Sequence, residues 1–255
     1  DAFQHDLLAS IEIATKARGI DYLPGCAELG DFDATSTTVA LSPAGLQSAL
    51  PQNLLHNTFE RYWSEFAARA DGSRTWNDYT PYEWRTVGSF VRLGQRDRAQ
   101  AAIDFFFATG ARPRAWNQWA EVVGRDPRQS RFIGDMPHAW VASDFIRSAL
   151  DLFAYERFDD KTLVLAAGVP ADWLADDGIA VEHLRTPYGE LSYRLRRTGK
   201  RLVLRVDAGT APPGGFEFAW PGPAPRTARV NGKDALSKSG NVHFSEVPAT
   251  VVLEQ

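Results

Sequence analysis

The hydrophobic period changes once along this chain, and no other sequence feature restricts the fold as much. Up to Phe153 the apolar residues recur at helical spacing, as in Phe3, Leu7, Leu8, Ile11 and Ala14, or Leu55, Phe59, Tyr62 and Phe66. Near Asp160 the pattern turns to alternation: Leu191, Tyr193 and Leu195, then Leu202, Leu204 and Val206, then Phe216, Phe218 and Trp220. A helix brings every third or fourth side chain to one face and a strand every second, so one period cannot serve both. The spacing therefore predicts a helical region over residues 1–160 and a β domain over 161–255, each burying a core of its own.

Punctuation refines the reading. Thr80-Pro81-Tyr82-Glu83 offers a helix cap, a proline suited to the first helical position and an acid placed to complete a capping box. That helix is expected to run to about Gly94, and a second, from about Asp97 to Thr109, to fold back on it as a hairpin. A further helix is predicted to open at Asp135-Met136-Pro137-His138, with Asp135 as its cap. In the second region Tyr188-Gly189, Thr198-Gly199, Asn231-Gly232 and Ser239-Gly240 mark tight turns between strands, the pattern of an antiparallel β-sandwich.

Composition excludes several function classes. A formal charge of −4, with 28 basic and 32 acidic residues interspersed, provides no basic stripe for a phosphate backbone, so nucleic acid is not an expected partner. Apolar runs fall well short of the ~20 residues that span a bilayer, and no membrane association is expected. One cysteine, Cys26, rules out an internal disulfide and leaves the compartment open, with a periplasmic or secreted location as the expectation. The five histidines are scattered without ligand-pair spacing, so neither a metal nor a cofactor is predicted.

The chain holds 8 tryptophans, six of them in its helical part. Sugar rings present apolar C–H faces that stack on aromatic side chains, and the loops at the helix entrances combine aromatics with acids and amides. Trp76 and Tyr79 precede the Glu83 helix, Trp116, Asn117, Trp119 and Glu121 form a loop after Phe107, Asp31 and Asp33 follow Glu28, and Asp135 and His138 open the last helix. Glycoside hydrolysis needs two carboxyl groups flanking the scissile bond. Glu121 and Glu83 are the catalytic candidates, and Trp76, Tyr79, Trp116, Asn117, Trp119, Asp135, His138, Asp31 and Asp33 the substrate-binding ones. Glu83, Asp135, Asp31 and Asp33 also have ordinary explanations as caps and turn residues. His138, Tyr79 and Asn117 together would instead suit proton abstraction from a uronate, which is lyase chemistry.

Read in order, Tyr79-Thr80-Pro81-Tyr82, Gly94-Gln95-Arg96-Asp97-Arg98-Ala99, Trp116-Asn117-Gln118-Trp119 and His138, followed by Gly168-Val169-Pro170-Ala171-Asp172-Trp173 and Thr186-Pro187-Tyr188-Gly189-Glu190, the sequence resembles bacterial α-L-rhamnosidases. The similarity is to the second half of their six-hairpin (α/α)-barrel and the β-sandwich after it. It implies an α+β multidomain chain with a helical toroid part, an inverting glycoside hydrolase activity on plant or bacterial saccharides, and the remaining half of the barrel upstream as partner. The sequence departs from that family at Asn117, where a glutamate base is usual, and shows no match to the family's acidic motif. A uronate lyase and a non-catalytic saccharide-binding module are the alternatives, and the chain by itself is expected not to hydrolyse glycosides.

Overall fold

The protein is described by a computed structural model covering residues 2–75, 81–107, 122–123, 132–135, 137–222, 225–235 and 240–254. The chain divides into two compact units, Asp1–Leu93 with Arg98–Ser148, and Gly94–Asp97 with Ala149–Gln255.

The first unit is built from helices α1 (Ala2–Arg18), α2 (Ala34–Leu41), α3 (Gln52–Ala70), α4 (Arg85–Arg92), most of α5 (Arg96–Phe107) and most of α6 (Ala139–Asp151). A two-stranded ribbon, β1 (Val122–Val123) with β2 (Phe132–Ile133), lies between α5 and α6 in sequence. The helical spacing in α3 has its expected result: Leu55, Phe59, Tyr62 and Phe66 are all buried. Their rings form an aromatic core with Phe90 and Phe106, Phe59 meeting Phe90 edge-on at 6.0 Å and Phe66 meeting Phe106 at 6.1 Å. In α1 the same spacing gives a stripe that is only partly covered, with Ala14 buried, Leu7, Leu8 and Ile11 half-buried and Phe3 79% exposed.

The helical toroid implied by the resemblance is not what forms. Six α-helices are present among the described residues, and two of them, α2 and α4, have only 8 residues each. At 1.5 Å per residue these are ~12 Å long, too short for the paired, full-height helices of a toroid. The helix expected from Pro81 to Gly94 is split, beginning as a 3-10 turn at Pro81–Trp84 and becoming α-helical only at Arg85. Helix α2 has no counterpart in the sequence reading, because its Thr-rich segment Ala34-Thr35-Ser36-Thr37-Thr38-Val39 has weak helix propensity. Tertiary burial of Ala34, Thr37, Thr38 and Leu41 and the Asp33 cap hold it.

The second unit contains two sheets. The larger has strand order β10 (Lys233–Asp234), β9 (Thr227–Val230), β12 (Ala249–Glu254), β7 (Arg201–Val206), β6 (Gly189–Thr198), β5 (Ile179–Thr186). The smaller runs β11 (Val242–Phe244), β8 (Phe216–Phe218), β4 (Thr162–Leu165), β3 (Ala154–Arg157). Alternation sets which face is buried. Leu191, Tyr193 and Leu195 of β6, Leu202 and Leu204 of β7 and Val251 and Leu253 of β12 share one core with Leu163, Leu165, Phe216 and Phe218. At roughly 1.5–3 kcal/mol for each fully buried large apolar side chain, this core is the main stabilising term of the unit.

Here too the expectation is corrected, since the sheets are mostly rather than wholly antiparallel: β4 and β8 run parallel, Leu163 opposite Phe216 and Leu165 opposite Phe218. A parallel neighbour requires a long connection rather than a hairpin, and some fifty residues separate these strands in sequence. The Asn231-Gly232 turn signal acts as read, whereas Ser239 lies outside the described residues. Asn231 and Gly232, both at positive φ (49° and 81°), join Val230 to its partner Lys233, and a two-residue turn of that hand matches the twist of the strands. Helix α6 closes at Asp151 and β3 opens at Ala154, ahead of the alternation that made the change of period visible.

Candidate functional site

Within the first unit, the 3-10 turn at Pro81–Trp84 organises the polar chemistry. Three residues per turn place side chains i and i+3 on one side and send consecutive residues in three directions. Tyr82 and Arg85 therefore share a side, and the Arg85 guanidinium lies 4.5 Å from the Tyr82 ring centre. Glu83 and Thr86 share another, both within reach of the Tyr62 hydroxyl. Trp84 takes the third direction, stacking on Phe145 at 4.9 Å and meeting Phe106 at 5.5 Å.

The Glu83 side is an interior ion pair. Tyr62 donates its hydroxyl to Glu83 Oε1 at 2.8 Å, and the Arg69 guanidinium bonds both carboxylate oxygens, Nη1 to Oε2 at 3.2 Å and Nη2 to Oε1. Glu83 is 5% exposed. Burial, reinforced by the adjacent Glu83 charge, pushes the Tyr62 hydroxyl well above its ordinary range. Burial alone would lower the Arg69 pKa, but the bond and charge of Glu83 outweigh it and raise it. With both oxygens engaged and water excluded, Glu83 ties α3 to the turn, and its carboxylate belongs to this interior pair rather than to an open cleft. Thr80, the expected capping partner, lies outside the described residues.

The Tyr82 side faces the start of α6. Asp144, 1% exposed, accepts from Arg85 Nε at 2.5 Å and from Arg147 Nη2 at 2.7 Å. Spacing along α6 puts Trp140 one turn before Asp144, on the same face. Its ring centre is 5.6 Å from the Arg85 guanidinium and 6.4 Å, edge-on, from the Tyr82 ring. Arg85 thus lies against two aromatic rings with a carboxylate at its Nε, an arrangement in which cation–π attraction contributes ~0.5–2 kcal/mol. His138 Nε2 and the Tyr82 hydroxyl are 2.7 Å apart, and His138 Nδ1 is 3.9 Å from Asp135. Trp140 remains 61% exposed beside this network. Together these residues form a polar patch with one open indole face, able to stack on an apolar ring face while Asp135 and His138 offer hydrogen bonds at its edge.

The other candidates from the sequence fall in different places. Asp31 accepts from the Cys26 amide at 2.9 Å, closing a turn, and Asp33 caps α2 through the Ser36 amide at 3.1 Å and hydroxyl at 2.5 Å. Gly25 fits beneath them, where a Cβ would come within 2.8 Å of Asp33 Cβ and 3.0 Å of Asp31 Oδ2. Asp135 stands four residues ahead of α6, which begins at Ala139, so it does not cap that helix; the His138 carbonyl accepts from the Ala142 amide at 3.1 Å. Trp76, Tyr79, Trp116, Asn117, Trp119 and Glu121 lie outside the described residues.

Arg85, Trp140 and Asp144 were not singled out by sequence. The Arg85–Asp144 pair spans 59 residues, and no local pattern links its members. The one available signal was Trp140 two residues after His138, on a helix whose apolar stripe already ran through Val141 and Phe145.

Among the described residues, no group of three His, Cys, Asp or Glu side chains could hold a metal ion, and no helix is long and apolar enough to cross a membrane. In comparisons with protein-family models, with curated proteins and with solved structures, nothing matches the chain.

Proposed function

We propose that the first unit carries a saccharide-binding face belonging to a carbohydrate-active protein, with α-L-rhamnosidase-like inverting glycoside hydrolysis as its reaction. The observation that carries this reading is the exposed Trp140 indole, held beside Arg85, Tyr82 and the His138–Asp135 edge. An aromatic plane on an otherwise polar patch matches the two-sided chemistry of a sugar, whose C–H face stacks while its rim of hydroxyls hydrogen-bonds. The reaction class is supported by the sequence resemblance, and Glu121 is its carboxylate candidate. Glu83, committed to Arg69, acts as a positioning residue under the Tyr82 turn.

A second reading, uronate lyase chemistry, is favoured by one contact. The 2.7 Å His138–Tyr82 pair supplies the base and acid that α-proton abstraction from a uronate uses.

Tryptophan fluorescence titration with rhamnose-containing oligosaccharides tests the binding face. The expected result is saturable quenching that Trp140→Ala reduces at least tenfold in affinity with the fold intact; unchanged affinity would remove the reading. Product analysis separates the chemistries, since hydrolysis yields a new reducing end alone, whereas lyase action yields an unsaturated, ultraviolet-absorbing sugar, and a binding module yields neither.

A further inference from the structure

The outward face of the larger sheet carries a feature that the site in the first unit does not use. On β6 and β7, antiparallel neighbours, Arg194 pairs directly with Arg205, and Arg196 stands opposite Val203. Their side chains share one face, because they alternate with the buried Tyr193, Leu195, Leu204 and Val206. Like charges directly opposite in a sheet destabilise it. Arg194 is relieved in part by an exposed ion pair to Glu182 at 3.2 Å. Among the described residues, Arg196 and Arg205 have no carboxylate partner.

These arginines line a hollow of about 370 Å³ together with Val203 and the segment Asp177-Gly178. Its wall depends on Gly178, which sits at φ 73°, where a Cβ would fall 2.2 Å from the Leu195 carbonyl oxygen and 2.8 Å from Arg196 Cα. Only a glycine lets residues 177–178 lie so close against β6, so the hollow is built into the backbone.

We propose that this hollow binds an acidic saccharide, taking one uronate residue with its carboxylate on Arg196 and Arg205. Guanidinium groups bind planar carboxylates through paired, charge-assisted bonds. Val203 gives the floor an aliphatic surface for a sugar C–H face, and Asp177 supplies an acceptor for hydroxyl groups. Asp177 in the lining repels a phosphate dianion more strongly than the single carboxylate of one uronate residue. The volume is within the range of small-ligand sites. The proposal stands on the second unit alone and is independent of the function proposed for the first.

The test is isothermal titration of the full chain at low salt with trigalacturonate, its methyl ester and inorganic phosphate. Trigalacturonate is expected to bind, with affinity falling as salt rises, and the uncharged ester to bind at least tenfold more weakly. Arg205→Gln and Arg196→Gln should each weaken trigalacturonate binding about tenfold. In the unliganded protein Arg205→Gln should raise the melting temperature, because it removes the repulsion with Arg194. Phosphate binding as tightly as trigalacturonate, equal binding of the ester, unaltered affinity in both arginine variants, or a lower melting temperature for Arg205→Gln would each overturn the proposal.

Discussion

The two units bury different kinds of surface. The second closes over a large set of aliphatic and aromatic side chains from β4, β6, β7, β8 and β12, with Asp151, Thr162, Thr210 and Glu217 also buried, whereas the interior of the first holds Glu83, Arg85 and Asp144 in ion pairs, with Thr86, Ser89 and Ser148, beside its aromatics. An apolar core holds its elements through area removed from water and tolerates any arrangement that fills the volume. A charged interior holds only if each group finds its partner, so it fixes side-chain positions tightly and fails severely when one partner is lost. Chemistry goes with the charged interior: in the first unit the same turn that satisfies the buried charges also positions Tyr82 beside His138 and Trp140.

That contrast is open to test. The largest effect is expected from Glu83→Gln, which leaves Arg69 buried without its counter-charge and should cost about 3–5 kcal/mol in denaturant unfolding. This is well above the ~1 kcal/mol that a capping role alone would give. A loss of about 1 kcal/mol or less would show that the charged interior is no more demanding than the apolar one. In the second unit Leu204→Ala, at a fully buried position, should cost about 2–5 kcal/mol, the spread reflecting how far the cavity collapses. Exchange of Leu204 for Met should cost under ~1.5 kcal/mol, as an apolar core tolerates and a charge pair does not.

A smaller effect concerns acid. Hydrogen bonds from Arg157 hold the Asp160 carboxyl below its ordinary 3.8, at about 2. Because the folded state binds this proton less readily than the unfolded chain, the contribution is fully present above about pH 4 and is lost as pH falls toward about 2. The Asp160 side chain is half-exposed, so solvent screening limits the contribution to about 1 kcal/mol or less. Asp160→Asn should flatten that limb of the stability profile. Comparably small is the stability change for Trp140→Ala, expected at about 1 kcal/mol or less, because the indole is mostly outside the fold and loses only its share of the cation–π contact with Arg85. A larger loss would make Trp140 a structural residue and weaken the binding face with it.

Spacing along the chain dictates that helices come first and strands later, where α3 turns its apolar face inward, and which residues of β6 and β7 enter the core. It also located the Asn231-Gly232 hairpin. Each of these is written in neighbours a few residues apart, where backbone geometry converts spacing directly into a face or a turn. Strand β4 escaped that reading because all four of its residues are buried, leaving no alternation to detect. Packing alone makes short helices form where the resemblance implies a toroid, runs β4 parallel to β8, and pairs Glu83 with Arg69 of another helix. It alone joined Arg85 to Asp144 and Tyr82 to His138, partners 59 and 56 residues apart. Such pairings follow from which elements pack together, and no period along the chain records that.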